Sequence, residues 1–310
     1  MRNAFADEIT KLGVSDPRVV LLSGDIGNKL FDKFKAASAD RFINCGIAEA
    51  NMMGVAGGMA LSGLRPVIYT ITPFTTTRCF EQIRVDACYH NVPVIIVGTG
   101  SGLSYAELGP THHSCEDLAI MRVLPHMTVM APADEVELRQ CLRAALKQDG
   151  PVYIRIGKRG EAIVPKKDDS FQIGRSITVR EGADVCLIGT GTLLPTVLQA
   201  ADLLAAQGIT ARVESYHTIK PLDEATLQQA FSGYSIVAVV EEHSRLGGLG
   251  GSIAEWLAQQ ERLKGRLVAF GVDDSFMHEI GTQEYARAKY GLTAENIATK
   301  VQAAFGKATA

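Results

Sequence analysis

The chain is poor in the features that mark secreted, metal-built and membrane-spanning proteins. Its six cysteines (Cys45, Cys79, Cys88, Cys115, Cys141 and Cys186) are scattered and form no CxxC pair, so neither a zinc site nor a disulfide framework is indicated. No apolar run is long enough to cross a bilayer. The start, Met1 to Lys11, is polar and helix-forming, without the apolar stretch of a signal peptide. A cytoplasmic location without membrane contact is expected. Charge of one sign is also missing: the formal net charge is -3. No basic face stands out that would grip a phosphate backbone, so nucleic acid is not an expected partner. The run Gly247–Gly251, GGLGG, is not the dinucleotide fingerprint and reads as a tight strand-to-helix turn.

What is present has a regular rhythm. The 310 residues suffice for two domains, and 46% hydrophobic with 21% charged residues is a globular balance. Short apolar runs recur at Val19–Leu22, Val67–Tyr69, Val94–Val97, Thr128–Met130 and Val152–Ile154. They recur again at Val185–Ile188, Ala211–Val213, Ile236–Val240 and Leu267–Ala269. Runs of this length bounded by Gly, Pro and Asp predict strands buried on both faces of a parallel sheet. The stretches between them predict crossover helices, such as Leu198 to Gln207, which stops at Gly208. The expected fold class is therefore α/β, two domains with mainly parallel sheets flanked by helices. Gly157 to Asp169, charged and containing Gly and Pro, reads as a linker. It divides the chain into domains 1–165 and 175–310.

Three motifs carry the candidate chemistry. In the first, Asn44-Cys45-Gly46-Ile47-Ala48-Glu49-Ala50-Asn51 precedes a helix of small and apolar residues to Leu61, with Gly54, Gly57 and Gly58 inside it. Each helical glycine costs about 1 kcal/mol relative to alanine, which points to something packed closely against the backbone. Glu49 falls in the first turn. A lone acid there is ordinarily solvated and favoured by the helix dipole, but apolar flanks give little reason for a charge. In the second motif, Phe74 ends a strand-like run and Phe80 lies in the following helix, after Arg78-Cys79. Seen alone they are core aromatics. In the third, Leu108-Gly109-Pro110-Thr111-His112-His113 puts two histidines on a loop after the Val94–Val97 strand. Loops beyond the carboxyl ends of parallel strands are where such folds place chemistry. Side chains at i and i+1 diverge and no third ligand has suitable spacing, so no metal site is assigned in this chain.

Together, in order, these motifs resemble the transketolase family. The matching stretch runs from Arg2 and Ser23-Gly24-Asp25 through Gly46-Ile47-Ala48-Glu49 and Pro110-Thr111-His112 to Tyr153-Ile154-Arg155. It continues in Gly189-Thr190-Gly191, Lys220-Pro221-Leu222-Asp223 and Glu241-Glu242-His243-Ser244. The Gly-Asp-Gly that marks the family's diphosphate-binding domain does not occur. The chain is thus similar to the smaller subunit of a split transketolase, a pyrimidine-binding domain followed by the C-terminal domain.

The resemblance implies thiamine diphosphate as cofactor, with Mg²⁺ bound through the partner. That partner is a larger subunit with the Gly-Asp-Gly domain, in an α₂β₂ heterotetramer. It also implies transfer of a glycolaldehyde unit from a ketose to an aldose. The Glu49 position is catalytic, hydrogen-bonding the aminopyrimidine nitrogen para to the amino group. Phe74 and Phe80 match aromatics that line that ring, while Asp25 and Ile26 match positions near the thiazolium. His112 matches a histidine that contacts the donor's oxygens, and Arg2 and Arg155 match arginines that hold its terminal phosphate. Departures bear on the substrate. Leu108 replaces an aspartate that reads a hydroxyl, Gly100 a phosphate-contacting histidine, and Lys29 a serine, so Lys29 is a new candidate cation. The resulting expectation is a ketose with an anionic end group, a sugar phosphate or a deoxy, amino, sulfonated or otherwise modified sugar. The alternatives are the β subunit of a 2-oxoacid dehydrogenase, a deoxyxylulose-phosphate-synthase-like enzyme and a non-catalytic structural subunit.

Overall fold

The computed structural model describes residues 1–27, 29–166 and 170–309. The apolar runs become strands in two sheets. The first half supplies β1 (Val19–Ser23), β2 (Phe42–Asn44), β3 (Arg65–Ile71), β4 (Ile95–Thr99), β5 (Thr128–Met130) and β6 (Val152–Ile156). The second supplies β7 (Ile177–Arg180), β8 (Val185–Gly189), β9 (Ala211–Ser215), β10 (Thr218–Lys220), β11 (Ile236–Ser244) and β12 (Arg266–Val272). One sheet has the order β10-β5-β6-β4-β3-β1-β2 and the other β12-β11-β8-β9-β7. Both are parallel except for β10 against β5 and β7 against β9. Nine strands coincide with the apolar runs. The other three, β2, β7 and β10, are short and partly polar, which is why the pattern does not announce them. Among the described residues no helix is long and apolar enough to cross a membrane.

Strand β10 changes the meaning of the domain boundary. It comes from the second half of the sequence yet extends the first sheet, with Thr218 opposite Met130 and Lys220 opposite Val129. The Lys220 ammonium then donates to the carbonyls of Arg122 (3.0 Å) and Leu124 (2.6 Å), capping the turn before β5. One apolar cluster runs without a break from Leu22, Met52 and Ile96 to Ile188, Val239 and Trp256. The two halves therefore share a core.

The expected linker is also pinned where it is described. Asp134 caps the helix Glu135–Ala145 through Oδ1, which accepts from the Val136 and Glu137 amides. Its Oδ2 accepts from the Val164 amide (2.9 Å) and the Lys166 ammonium (2.7 Å), and all of these groups are buried. Residues 167–169 of the expected linker lie outside the described residues.

The tightest seam joins the loop after β4 to the end of β11. The buried Glu242 carboxylate accepts from the Leu103 amide (2.6 Å) and Gln283 Nε2 (2.8 Å), and pairs with Arg287. Gly102 has φ +58°, and a β-carbon there would lie 2.6 Å from Glu242 atoms, so only glycine permits the approach. Beside it the Ser244 amide donates to the Cys115 carbonyl (2.8 Å) and the Ala119 amide to His243 Nε2 (3.3 Å). The loop that carries His112 is thus held from the second half of the chain.

Glu242→Ala would leave the buried Leu103 amide unpartnered and take the carboxylate from the partly buried Arg287, which keeps only Thr192 among the described residues. A loss of about 3–5 kcal/mol is expected, with a smaller loss for Glu242→Gln, read as urea unfolding midpoints. His217 gives a pH dependence. It is fully buried, stacked on Phe171 at 4.3 Å between ring centres. Burial holds its imidazole below the ordinary 6.5, with Glu137 opposing and Lys166 reinforcing the shift. As pH falls the unfolded chain takes up that proton first. Stability is then full above about pH 6.5 and declines below it until the folded group protonates. Unfolding midpoints at about pH 7.5 and 5.5 should show the drop, and His217→Gln should reduce it.

Candidate active site

The expected site residues follow the carboxyl ends of adjacent strands. Along that edge the order is Asn44 to Glu49 after β2, Asp25 to Lys29 after β1, Thr72 to Phe80 after β3, Gly100 to His112 after β4, and Arg155 to Lys158 at β6. Parallel strands bring their following loops to one edge, so residues far apart in sequence become neighbours. Arg2 reaches the group from the first helix, Arg2–Ser15.

Glu49 is the first residue of the helix Glu49–Leu61 and is only 3% exposed. Its Oε1 accepts from Arg78 Nη1 at 3.0 Å. The Arg78 guanidinium lies on the Phe74 ring, 4.1 Å from its centre. Phe74 belongs to a helical turn, Thr72–Thr75, rather than to the strand end expected. Phe80 starts a short helix, Phe80–Gln82, and packs partly buried against the shared core. Burial first, then the Glu49 carboxylate, pushes the adjacent Cys79 thiol up to about 12, which keeps it protonated. The helical glycines divide into two kinds. At Gly57 a β-carbon would meet Asp86 at 2.9 Å, on the π-helical stretch Ile83–Tyr89, whereas Gly58 faces open space.

His112 joins this group through its rings. Its imidazole stands edge-on to Phe74 at 5.3 Å and to Tyr105 at 6.0 Å, and Nδ1 lies 3.0 Å from Thr111 Oγ1. The Lys158 ammonium sits 4.3 Å over the Tyr105 ring and pairs with Glu107. Glu49, Arg78, Phe74, His112, Tyr105 and Lys158 therefore form one continuous line of contacts. Asp25, with φ +55°, accepts from Asn44 Nδ2 at 3.0 Å, and Lys29 is exposed on the same loop. Ile26 is partly buried against the cluster under the first helix.

The two arginines are placed differently. Arg2 has a buried Nε with no hydrogen-bond partner and makes no ion pair among the described residues. Burial pushes the Tyr105 phenol up, and Arg2's nearby charge acts against that shift. Arg155 is buried inside the seam. Its guanidinium meets Asp117 at 3.2 Å and donates to the carbonyls of Ser114 (3.3 Å) and Glu242 (3.0 Å). Asp117 also accepts from the Tyr153 hydroxyl at 2.6 Å. Arg155 is thus engaged in joining the halves and is not brought to the open group around His112.

The sequence alone assigns no role to Arg78, Lys158 or Tyr105. A cation four residues after Phe74 was the available signal for Arg78. No local pattern marks Tyr105, because its place depends on a glycine five residues earlier. A cavity of about 410 Å³ opens beside the group, between the halves. Thr76, Thr111, His113, Glu116, Phe276 and Tyr290 are among its lining, while Glu49, Phe74 and His112 are not. The cofactor candidates therefore lie outside that cavity, at the carboxyl edge of the sheet. Among the described residues no cluster of three or more His, Cys, Asp or Glu could hold a metal ion.

Comparison with known proteins gives this arrangement its context. Residues 1–160 match the transketolase pyrimidine-binding domain and residues 174–297 the transketolase C-terminal domain. The chain is 37% identical over 298 residues to the 6-deoxy-6-sulfo-D-fructose transketolase subunit SqwH of Clostridium sp. (strain MSTE9), covering 96% of this chain and 92% of that one. It is 32% identical to an apulose-4-phosphate transketolase subunit of Phocaeicola vulgatus, covering 96% and 94%. A solved structure described as a split gene transketolase, inactive beta4 tetramer, superposes with a TM-score of 0.90 at 38% identity, covering 98% of both chains. The chain belongs to the transketolase family of thiamine-diphosphate-dependent transferases and carries its pyrimidine-binding and C-terminal domains.

Proposed function

We propose that this chain is the pyrimidine-side subunit of a two-chain transketolase. It moves a two-carbon ketol unit from an anionic ketose to an aldose when a partner brings the diphosphate- and Mg²⁺-binding half. The observation that carries this reading is the buried Glu49 carboxylate linked through Arg78 to the Phe74 ring at the carboxyl edge of the sheet. That cradle suits an aminopyrimidine. A flat group that donates hydrogen bonds, the Arg78 guanidinium, already lies on Phe74 and bonds Glu49. A carboxylate accepts about four hydrogen bonds, so Arg78 leaves capacity for a ring nitrogen.

Thiamine diphosphate, when bound, supplies the carbanion chemistry of ketol transfer, while the protein supplies orientation and polarity. Glu49 would hold the proton shared with the aminopyrimidine, in surroundings whose dryness strengthens the bond. Phe74 and Phe80 would flank that ring, and Asp25 and Ile26 would border the thiazolium. His112 would orient the donor's oxygens and move a proton between them. Arg2, with its unpartnered Nε, would take the donor's anionic end, and Lys29 is a second cation on the same edge. Arg155, engaged with Asp117 and the seam carbonyls, is assigned to fixing the His112 loop instead.

The outer face of the Glu49 helix supports the need for a partner. Ile47 (80% exposed), Val55 and Leu61 are uncovered beside Gly58, and Tyr89 is exposed at the end of the adjoining π-helical stretch. An apolar stripe next to a catalytic acid fits a permanent contact, and an α₂β₂ assembly would cover it. The relatives named for 6-deoxy-6-sulfo-D-fructose and apulose 4-phosphate favour a modified ketose here, as does the half-exposed Leu108, which cannot accept a hydroxyl's hydrogen bond. The donor panel to test is xylulose 5-phosphate, fructose 6-phosphate, 6-deoxy-6-sulfofructose and apulose 4-phosphate.

The decisive variant is Glu49→Gln, purified with its partner. Co-elution should be unchanged while turnover on the best donor falls about 10²–10⁴-fold. Full turnover in a normally assembled variant would overturn the assignment.

A further inference from the structure

Gly100 directly follows β4 with φ +77°, and a β-carbon there would lie 2.0 Å from a ring carbon of Tyr105. The absence of a side chain at position 100 is what lets the ring lie against the strand end. The ring is then fixed on several sides. Gly100 abuts one edge, the Lys158 ammonium covers a face, and His112 stands edge-on 6.0 Å away. The Tyr105 carbonyl accepts from the Leu108 amide at 2.9 Å, so the apolar Leu108 belongs to the same turn. Arg2, whose charge reaches the phenol, has its buried Nε unpartnered.

We infer that Tyr105 is a specificity-determining residue for the ketose donor. Its ring is a rigid wall along which the donor's carbon chain packs, between the reacting end at His112 and the anionic end at Arg2. The inference rests on the ketol-transfer reading and deepens it by naming a substrate feature. An aromatic wall favours the C–H side of a sugar chain. Neither Gly100 nor Leu108 has a side chain that can accept a hydrogen bond, so hydroxyls facing them go unread. The favoured donor is an anionic ketose whose middle carbons turn C–H groups to Tyr105, and it tolerates loss or inversion of a hydroxyl on that side.

The test uses the assembled pair and the donor panel, with KM and kcat measured separately. Tyr105→Ala should raise the KM of the best anionic donor about tenfold, the scale of losing a packed ring face. Acceptor KM and cofactor affinity should stay within about twofold. Gly100→Ala, which drives the ring out, should raise donor KM similarly. The Gly100→Ala/Tyr105→Ala pair should be no worse than Tyr105→Ala alone, a non-additivity that a general loss of stability would not produce. Tyr105→Phe, which keeps the wall, should recover donor KM to within about threefold of the native pair. An active pair whose donor KM ignores Tyr105, or one in which the two substitutions simply add, overturns this inference alone. A native pair that transfers no ketol unit from any donor overturns the functional reading, and this inference with it.

Discussion

The site depends on a carboxylate that touches no reactant. Glu242, at the end of β11, holds the loop after β4 by its amide at Leu103 and is itself held by Gln283 and Arg287. The Arg155 guanidinium closes the same seam by bonding the Glu242 carbonyl and Asp117. These are charged groups in a dry interface, where a complete set of partners is rigid and an incomplete one is costly. The loop they fix carries Tyr105, Leu108 and His112. The second half of the chain therefore acts on the chemistry through backbone geometry. Strand β10 makes the same point, since it is a piece of the second half built into the first sheet.

The other constraint is incompleteness. Glu49, Phe74 and His112 converge on an open edge, and the helix that starts at Glu49 leaves its outer apolar face uncovered. A buried acid paired with an arginine stacked on a phenylalanine is a satisfied arrangement in the separate chain. Arg78 is half exposed, so its pairing is the part of the arrangement that can yield.

Much of the frame was legible because burial writes itself into sequence. Strands covered on both faces must be nearly continuous in Val, Ile and Leu, and nine of the twelve were found that way. The three missed strands are edges or bridges, where half-exposure permits Lys, Arg and Asn and the pattern fades. Glu49 and His112 were legible only as members of an ordered motif set, because a single Glu at a helix start has an ordinary explanation. Arg155 shows the limit of carrying a role across by motif. The apolar run Val152–Ile154 marks β6, but the direction of the Arg155 guanidinium that follows it is set by Asp117 and Glu242, 38 and 87 residues away. Tyr105 was not legible at all. Its role arises from the vacancy at Gly100 and the ammonium of Lys158, and no local window contains all three.

These cases bear on where substrate preference resides. Glu49 and His112, the proposed activating and donor-contacting groups, fit the family's ordered motifs. Two of the departures, Gly100 and Leu108, flank Tyr105 on one turn and have no side chain that can accept a hydroxyl's hydrogen bond, within reach of Arg2's charge. A polar residue at position 100 would collide with the Tyr105 ring, so the substitutions are mechanically linked and could not have been read one at a time. A site assembled this way separates two tasks. On the proposed reading, activation falls to a buried acid on a helix end, whereas recognition of the chain beyond the transferred carbons falls to a turn whose shape Glu242 holds from outside. Changing the sugar then requires rebuilding that turn and leaves the activating machinery untouched.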